Sequence, residues 1–363
     1  MKQKSSKASL GDVAKAAGIS TVAACYALRN QPGVSKATRE RVRRIAKQLG
    51  YAPDARIASW MATMREAKSK DLLPIAWLNT TREKDAWQRF KFMAPYLEGA
   101  RERAMQLGYR LEELWLQEHG MTVARMNCIL HQRGIEGVIV TYPARHLRLN
   151  WDHLASISLG GDMLAPRLHW VTSDAYYNLL LALKMAKRHG YRRIGVCLTE
   201  YFDRGSARST RAAAHYFHTT APKLEKVPPL FYPGENEVHW PVSKKQIAAW
   251  LSRYKPDVII CHSNYIVPCV EEIGYRVPED VGVVHLATDD DVSDWAGITS
   301  NRRQIGATAA ELVVSFMLSR QFGVPKIAMS TLIRGSWHPG LTLLIPKPDT
   351  SPRPRAQVLT PRA

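Results

Sequence analysis

The chain is short of several things, and each shortage removes a class of function. No apolar run approaches the roughly eighteen residues that cross a bilayer, so no membrane span is expected. The stretch Met1–Lys7 is charged and no apolar core follows it, so a secretory signal is not expected. Cysteine is sparse: Cys25, Cys128, Cys197, Cys261 and Cys269 are scattered with no C-x-x-C pair. Zinc and redox motifs are therefore unsupported, and an odd count without a signal fits a reducing cytoplasm. Catalytic signatures are missing too. There is no G-x-G-x-x-G, P-loop, H-E-x-x-H or G-x-S-x-G. His215 and His218 share a helical face, but no acid lies close in sequence, and they read as a surface pair. The expectation is no enzyme, no catalytic residue, no metal site and no cofactor.

Acid is scarce against base. The 363 residues carry 32 Asp and Glu against 51 Lys and Arg, a net charge of +19. The imbalance is uneven, because residues 1–72 hold fifteen of the Lys and Arg and only five of the Asp and Glu. A basic N-terminal fifth is where phosphate binding would concentrate. The length suggests two or three domains, and 45% hydrophobic residues are ample for a large core.

That basic region is patterned. Leu10, Val13, Ala14 and Ala17 fall on one face of a short helix. Gly18 suits the turn that ends it, Ile19 is an apolar plug, and Ser20 can cap a second helix. In that helix Ala24, Ala27 and Leu28 are available to pack, leaving Thr21, Val22 and Tyr26 on the opposite face. The arrangement is a helix-turn-helix. Its second helix enters the major groove N-terminus first, so Thr21, Val22 and Tyr26 are the candidates for base contact. Thr21 and Val22 suit thymine methyls better than a bidentate hold on guanine. A third helix follows, stapled by Val34, capped by Ser35 and stopped by Gly50. Thr38, Val42, Ile45, Ala46 and Leu49 form its inward stripe. Arg39, Arg41, Arg43, Arg44 and Lys47 cover much of the rest, and beside a helix-turn-helix phosphate contact is the better reading than a solvated face. Ser20, Arg29, Ser35, Thr38 and Arg39 are the phosphate-positioning candidates.

Pro53 interrupts the chain, Asp54 can cap, and Ile57, Trp60, Met61 and Met64 recur at helical spacing. A helix that short is marginal alone and needs a partner. Beyond it, apolar runs alternate with helical ones. Strands are expected at Ile75–Leu78, Leu111–Leu116, Gly137–Thr141, Ile157–Leu159, Ile194–Leu198, Val258–Cys261, Val281–Leu286 and Ile327–Ile333. Helices are expected at Tyr96–Leu107, Tyr177–His189, Lys244–Tyr254 and Ala307–Ser319. The alternation argues a doubly wound parallel sheet, and the length argues two such lobes with a cleft. The stretch from Pro346 holds five prolines and four basic residues and is expected to be a disordered tail.

Residues 10–61 resemble the DNA-binding head of the lac repressor family of bacterial transcription regulators. The family pattern L-x-D-V-A-x-x-A-G-V-S stands here as Leu10, Asp12, Val13, Ala14, Ala17, Gly18, Ile19 and Ser20. V-S-x-x-T-R-x-x-V stands as Val34, Ser35, Thr38, Arg39 and Val42, and L-G-Y-x-P-N as Leu49, Gly50, Tyr51, Pro53 and Asp54. Pieces of the body also resemble that family, including Arg133–Val140, His189–Gly195, Gly274–Val281 and Arg334–Ser336. The resemblance covers roughly residues 8–345.

It implies a helix-turn-helix head over 1–52, a hinge helix and linker over 53–72, a two-lobed body of periplasmic-binding-protein type over 73–345, and the tail over 346–363. It implies a cytoplasmic homodimer, joined through the body, on a near-palindromic double-stranded operator. Ile57, Trp60 and Met61 would enter the minor groove, with Trp60 where much of the family has a leucine wedge. It implies three polar cleft positions for an effector such as a carbohydrate. The arginine is Arg208 or Arg211. The asparagine position aligns with Ser263, beside Asn264. The aspartate position aligns with Ala287, with Asp289, Asp290 and Asp291 following; a solvated loop is the first reading of that run. Tyr265 and Trp295 lie near strand ends, where rings could stack on a ligand. A sugar hydroxyl left unpartnered costs about 1–3 kcal/mol, so the family's usual sugars are not expected unchanged. The expected function is a repressor modulated by a small molecule; the alternative is an effector-independent repressor with a vestigial cleft.

Overall fold

The computed structural model describes residues 9–28, 33–51, 72–86, 92–141, 146–160, 165–220, 226–234, 239–289 and 292–344. The hinge positions Ile57, Trp60 and Met61, together with Arg29, Asp290, Asp291 and the tail, lie outside them.

Three helices form the head. α1 (Leu10–Ala17) begins with a reciprocal box: the Ser9 hydroxyl accepts the Asp12 N–H at 3.2 Å, and the Asp12 carboxylate accepts the Ser9 N–H at 2.8 Å. Two donors that a helix start leaves open are thereby satisfied. The Ser9 N–H and the Ser9 hydroxyl both donate to the Asp12 carboxylate and hold it below its ordinary pKa. Gly18 closes the helix in the left-handed region (φ 63), which costs glycine no Cβ clash. Ser20 accepts the Ala23 N–H at 3.1 Å and starts α2 (Thr21–Leu28). Ser35 accepts the Thr38 N–H at 3.2 Å and starts α3 (Lys36–Gln48). The core is Val13, Ala14, Ala17, Ala24, Ala27, Val42 and Ala46. Val13 and Val42 are fully buried, and each contributes about 1.5–3 kcal/mol by leaving water.

The body alternates strand and helix. Its first part runs β1 (Leu73–Asn79), α4 (Ala94–Gln106), β2 (Tyr109–Trp115), α5 (Val123–Gln132), β3 (Gly137–Thr141), β4 (Ala155–Leu159) and β5 (His169–Ser173). Next come α6 (Ala175–Arg188), β6 (Ile194–Thr199), α7 (Glu200–Gly205), α8 (Ser209–Thr220), β7 (Leu230–Tyr232), α9 (Trp240–Tyr254), β8 (Val258–Cys261) and α10 (Ile266–Glu272). The chain continues through β9 (Gly282–His285), β10 (Gly297–Thr299), α11 (Arg302–Leu318), β11 (Ser330–Ile333) and β12 (Ser336–His338).

The strands make two sheets in two compact units. The first sheet has the order β11-β5-β4-β3-β1-β2, with β1 through β5 paired in parallel. β3 and β4 are buried along their whole length, which explains the apolar run Gly137–Val140 in β3; β4 alternates, with Ser156 and Ser158 buried between Ala155, Ile157 and Leu159. β2 lies at the edge and is buried only in part. α11 packs on β3, since a Cβ at Gly137 would overlap Met317 and Val313. α11 also crosses α4 at backbone distance, where a Cβ at Gly99 would overlap the Arg303 carbonyl and one at Gly306 the Tyr96 carbonyl.

The second sheet has the order β12-β10-β9-β8-β6-β7. β6 through β10 pair in parallel, and β12 runs antiparallel to β10 at the edge. Two buried clusters cover its faces: Leu179, Leu183, Ile194, Val196 and Ile260 on one, and Ile247, Trp250, Ile259, Ile266 and Val283 on the other.

The expected strands and helices are present with shifted ends. The expected strand at Ile327–Ile333 contracts to Ser330–Ile333, because Ile327 is 83% exposed and precedes the paired stretch. Periodicity missed β5, β7, β10 and β12. β7, β10 and β12 have three residues each, too few to show a period.

Candidate functional site

The head presents two different surfaces. On α2, Ala24 and Ala27 turn inward, Thr21 is exposed and Tyr26 is 46% exposed. The side chain of Val22, the remaining base-contact candidate, lies outside the described residues. The Ser20 hydroxyl accepts from Ala23 and keeps its own proton to donate outward. Ser35 and Thr38 hydroxyls bond each other at 2.8 Å at the start of α3. On α3 the cations dominate: Lys36, Arg41, Arg43, Arg44 and Lys47 are exposed, and Arg39 is half-buried. Such a surface can neutralise phosphates, whereas α2 can meet base edges only through small apolar groups and hydroxyls.

The second unit gathers the remaining candidates around the C-terminal ends of β6, β8 and β9. Arg208 and Arg211 are both held by this chain's own carboxylates. Asp203, with no exposure, accepts from Arg208 at 3.0 Å, from Arg211 Nε at 2.9 Å, from the Arg211 backbone N–H at 3.0 Å and from Thr210 at 2.9 Å. Glu200 accepts from Arg211 at 2.7 Å and from Arg208 at 3.4 Å. The Arg211 guanidinium lies 3.8 Å from the centre of the Phe231 ring. Burial pushes the Asp203 pKa up, but the bonds from Arg211, Thr210 and Arg208 outweigh it and hold it below the ordinary carboxylate value. Arg208 follows Ala207, and both are left-handed (φ 66 and φ 51), which turns α8 back toward α7.

Beside this cluster stands a column of rings. Phe202 stacks on His262 at 3.8 Å, His262 on His285 at 5.6 Å, and Trp295 and His285 meet in a T-shape at 5.7 Å. Burial drives the His285 pKa down to about 4 and the His262 pKa well below the ordinary value. Both imidazoles are therefore neutral at pH 7. Ser263 is buried, and its hydroxyl accepts the Tyr265 N–H at 3.0 Å. Asn264 is exposed, and Tyr265 is exposed beside Trp240. Asp289 accepts the Ser300 N–H at 3.1 Å and the Arg302 N–H at 3.5 Å, so it braces the approach to α11 as well as facing solvent in part.

Sequence reasoning missed Asp203 and Glu200, and it missed both histidines of the column. A signal existed for the acids, since Glu200 and Asp203 stand eight residues before Arg208 and Arg211. None existed for the column, whose rings come from four separate segments. Among the described residues no three potential metal ligands come together, and no helix is long and apolar enough to cross a membrane.

Residues 9–54 match the family model for bacterial regulatory proteins of the lacI family, and residues 183–336 match the periplasmic binding protein-like domain. Among curated relatives is an HTH-type transcriptional repressor PurR of Aliivibrio salmonicida (strain LFI1238). It is 22% identical over 332 residues, spanning 85% of this chain and 91% of that one. A protein of the same name from Salmonella arizonae is 23% identical over 296 residues, 76% of this chain and 80% of that one. Among solved structures, the transcriptional regulator CelR–cellobiose complex has a TM-score of 0.55 at 16% identity, covering 92% of this chain and 99% of that one. The lac repressor dimer bound to operator and the anti-inducer ONPF has a TM-score of 0.52 at 18% identity, covering 93% and 100%. At such identities these structures speak for the fold.

Proposed function

This chain belongs to the lacI family of bacterial regulatory proteins, and from that premise we propose a repressor that binds a near-palindromic operator as a homodimer. Residues 1–52 hold the DNA, residues 53–72 form the hinge, and the body from 73 to 345 dimerises and takes a small molecule, with sugars among the candidates. Working on chromosomal DNA, it acts in the cytoplasm. The observation that carries the reading is the division of surfaces on the head. Thr21 and Tyr26 stand out from a capped second helix, and an arginine-rich third helix stands beside it. A ligand can act only by preferring one arrangement of the body over another.

Fluorescence titration of the full chain against a selected fragment and against random duplex tests the proposal. Selective binding at physiological salt is expected, with an affinity that falls steeply as salt rises. Equal affinity for both duplexes would overturn it.

One observation favours an effector-independent repressor as a second reading. Arg208 and Arg211 are already paired with Asp203 and Glu200, and no asparagine or aspartate stands at positions 263 and 287. Thermal-shift screening with saccharides, nucleosides and sugar phosphates separates the two. A compound that both raises the melting temperature and alters operator affinity rejects the second reading.

A further inference from the structure

We infer that thymine methyl groups specify the half-site read by α2, with Tyr26 adding one hydroxyl contact, and that no guanine is held in bidentate fashion there. The inference rests on the operator-binding reading above and adds the chemistry of the bases chosen.

α2 reads TVAACYAL and contains no charged or carboxamide side chain. Bidentate recognition of guanine uses arginine or lysine, and that of adenine uses asparagine or glutamine. The helix has none of the four. Its N-terminal residues are the ones that reach base edges in this motif, and Arg29 stands beyond its C-terminal end. Among the described side chains, the groups that face outward are small or singly polar. Thr21 offers a methyl and one hydroxyl, Ala23 a half-exposed methyl, and Tyr26 a ring edge with one phenol. A phenol makes a single contact and cannot fork across two base atoms. Ala24 and Ala27 are spent on the head's core.

Positive charge sits on the other surface. Lys36, Arg41, Arg43, Arg44 and Lys47 are exposed on α3. Phosphate attraction is indifferent to sequence, so it supplies affinity and leaves base choice to α2. In the major groove the thymine C5-methyl is the apolar group available to a surface such as Thr21 and Ala23. Burying one methyl is worth about fourfold in affinity. Specificity is therefore a product of several small factors.

The test uses the full chain. Bound fragments are first selected from a random duplex pool; no enrichment would sink the operator-binding reading itself and this inference with it. In an enriched fragment, each half-site thymine is then replaced by deoxyuridine, which removes only the methyl. Each guanine is replaced by 7-deazaguanine, which removes N7. Deoxyuridine is expected to weaken binding about fourfold at each contacted thymine, and 7-deazaguanine to leave it unchanged. Silence of every deoxyuridine, or a loss of roughly tenfold at a 7-deazaguanine, overturns the inference while the operator reading stands. Tyr26→Arg should enrich a guanine at one position per half-site on repeated selection. An unchanged consensus would remove Tyr26 from the base edges.

Discussion

Asp203→Asn is the sharpest perturbation of the second unit. The carboxylate has no exposure and receives four hydrogen bonds, two of them from guanidinium groups. An amide keeps one acceptor oxygen but turns its NH2 toward donors, so the two charge-assisted bonds are the ones lost. Such bonds contribute about 1.5–3 kcal/mol each when buried. Arg208 and Arg211 are 55% and 41% exposed, so water takes them back in part and the figure must be discounted. The expected loss is roughly 2–4 kcal/mol at pH 7. The pH dependence has a definite sign. The folded carboxyl lies below its unfolded value of about 3.9. Its stabilisation is thus complete above about pH 5 and disappears as pH falls through the unfolded value and then the lower folded one. Denaturant unfolding of the full chain, followed by tryptophan fluorescence, measures this. The gap between wild type and Asp203→Asn should narrow steadily below pH 5. A gap under about 0.5 kcal/mol at pH 7, or one that ignores pH, would refute the argument.

His285 carries the opposite charge logic. Its folded pKa of about 4 lies below the ordinary 6.5, so the unfolded state binds more protons between these values. Stability is full above pH 6.5 and is lost toward pH 4, by roughly 2–4 kcal/mol; an NMR titration of the imidazole near 6.5 would contradict this. Gly306→Ala forces a Cβ into the Tyr96 carbonyl, and denaturant unfolding should show a loss of about 1–3 kcal/mol or more; an unchanged midpoint would mean the helices do not cross so closely. Trp60→Ala should weaken specific operator binding far more than nonspecific binding in the same titration; equal losses would show that Trp60 is no wedge.

The head was legible because its contacts are local. Ser20 with Ala23, Ser35 with Thr38 and the left-handed Gly18 are all decided within a few residues. The interior strands were legible because burial on both faces imposes unbroken apolar runs, as at Gly137–Thr141 and Val258–Cys261. The second-unit cluster was not. Arg208 and Arg211 read as groups awaiting a ligand; Glu200 and Asp203 stand eight residues before them, but the pairing itself depends on α8 turning back on α7.

The sequence by itself therefore determined the head, its uncharged second helix and its arginine-rich neighbour, since helix caps and periodicity act over one or two turns. Tertiary structure alone decided that Asp203 would hold both arginines and that Phe202, His262, His285 and Trp295 would form one column. Two left-handed residues, Ala207 and Arg208, turn α8 back for the cluster; for the column, parallel strands bring their C-terminal ends together from distant parts of the chain, and no local pattern records which rings will meet there.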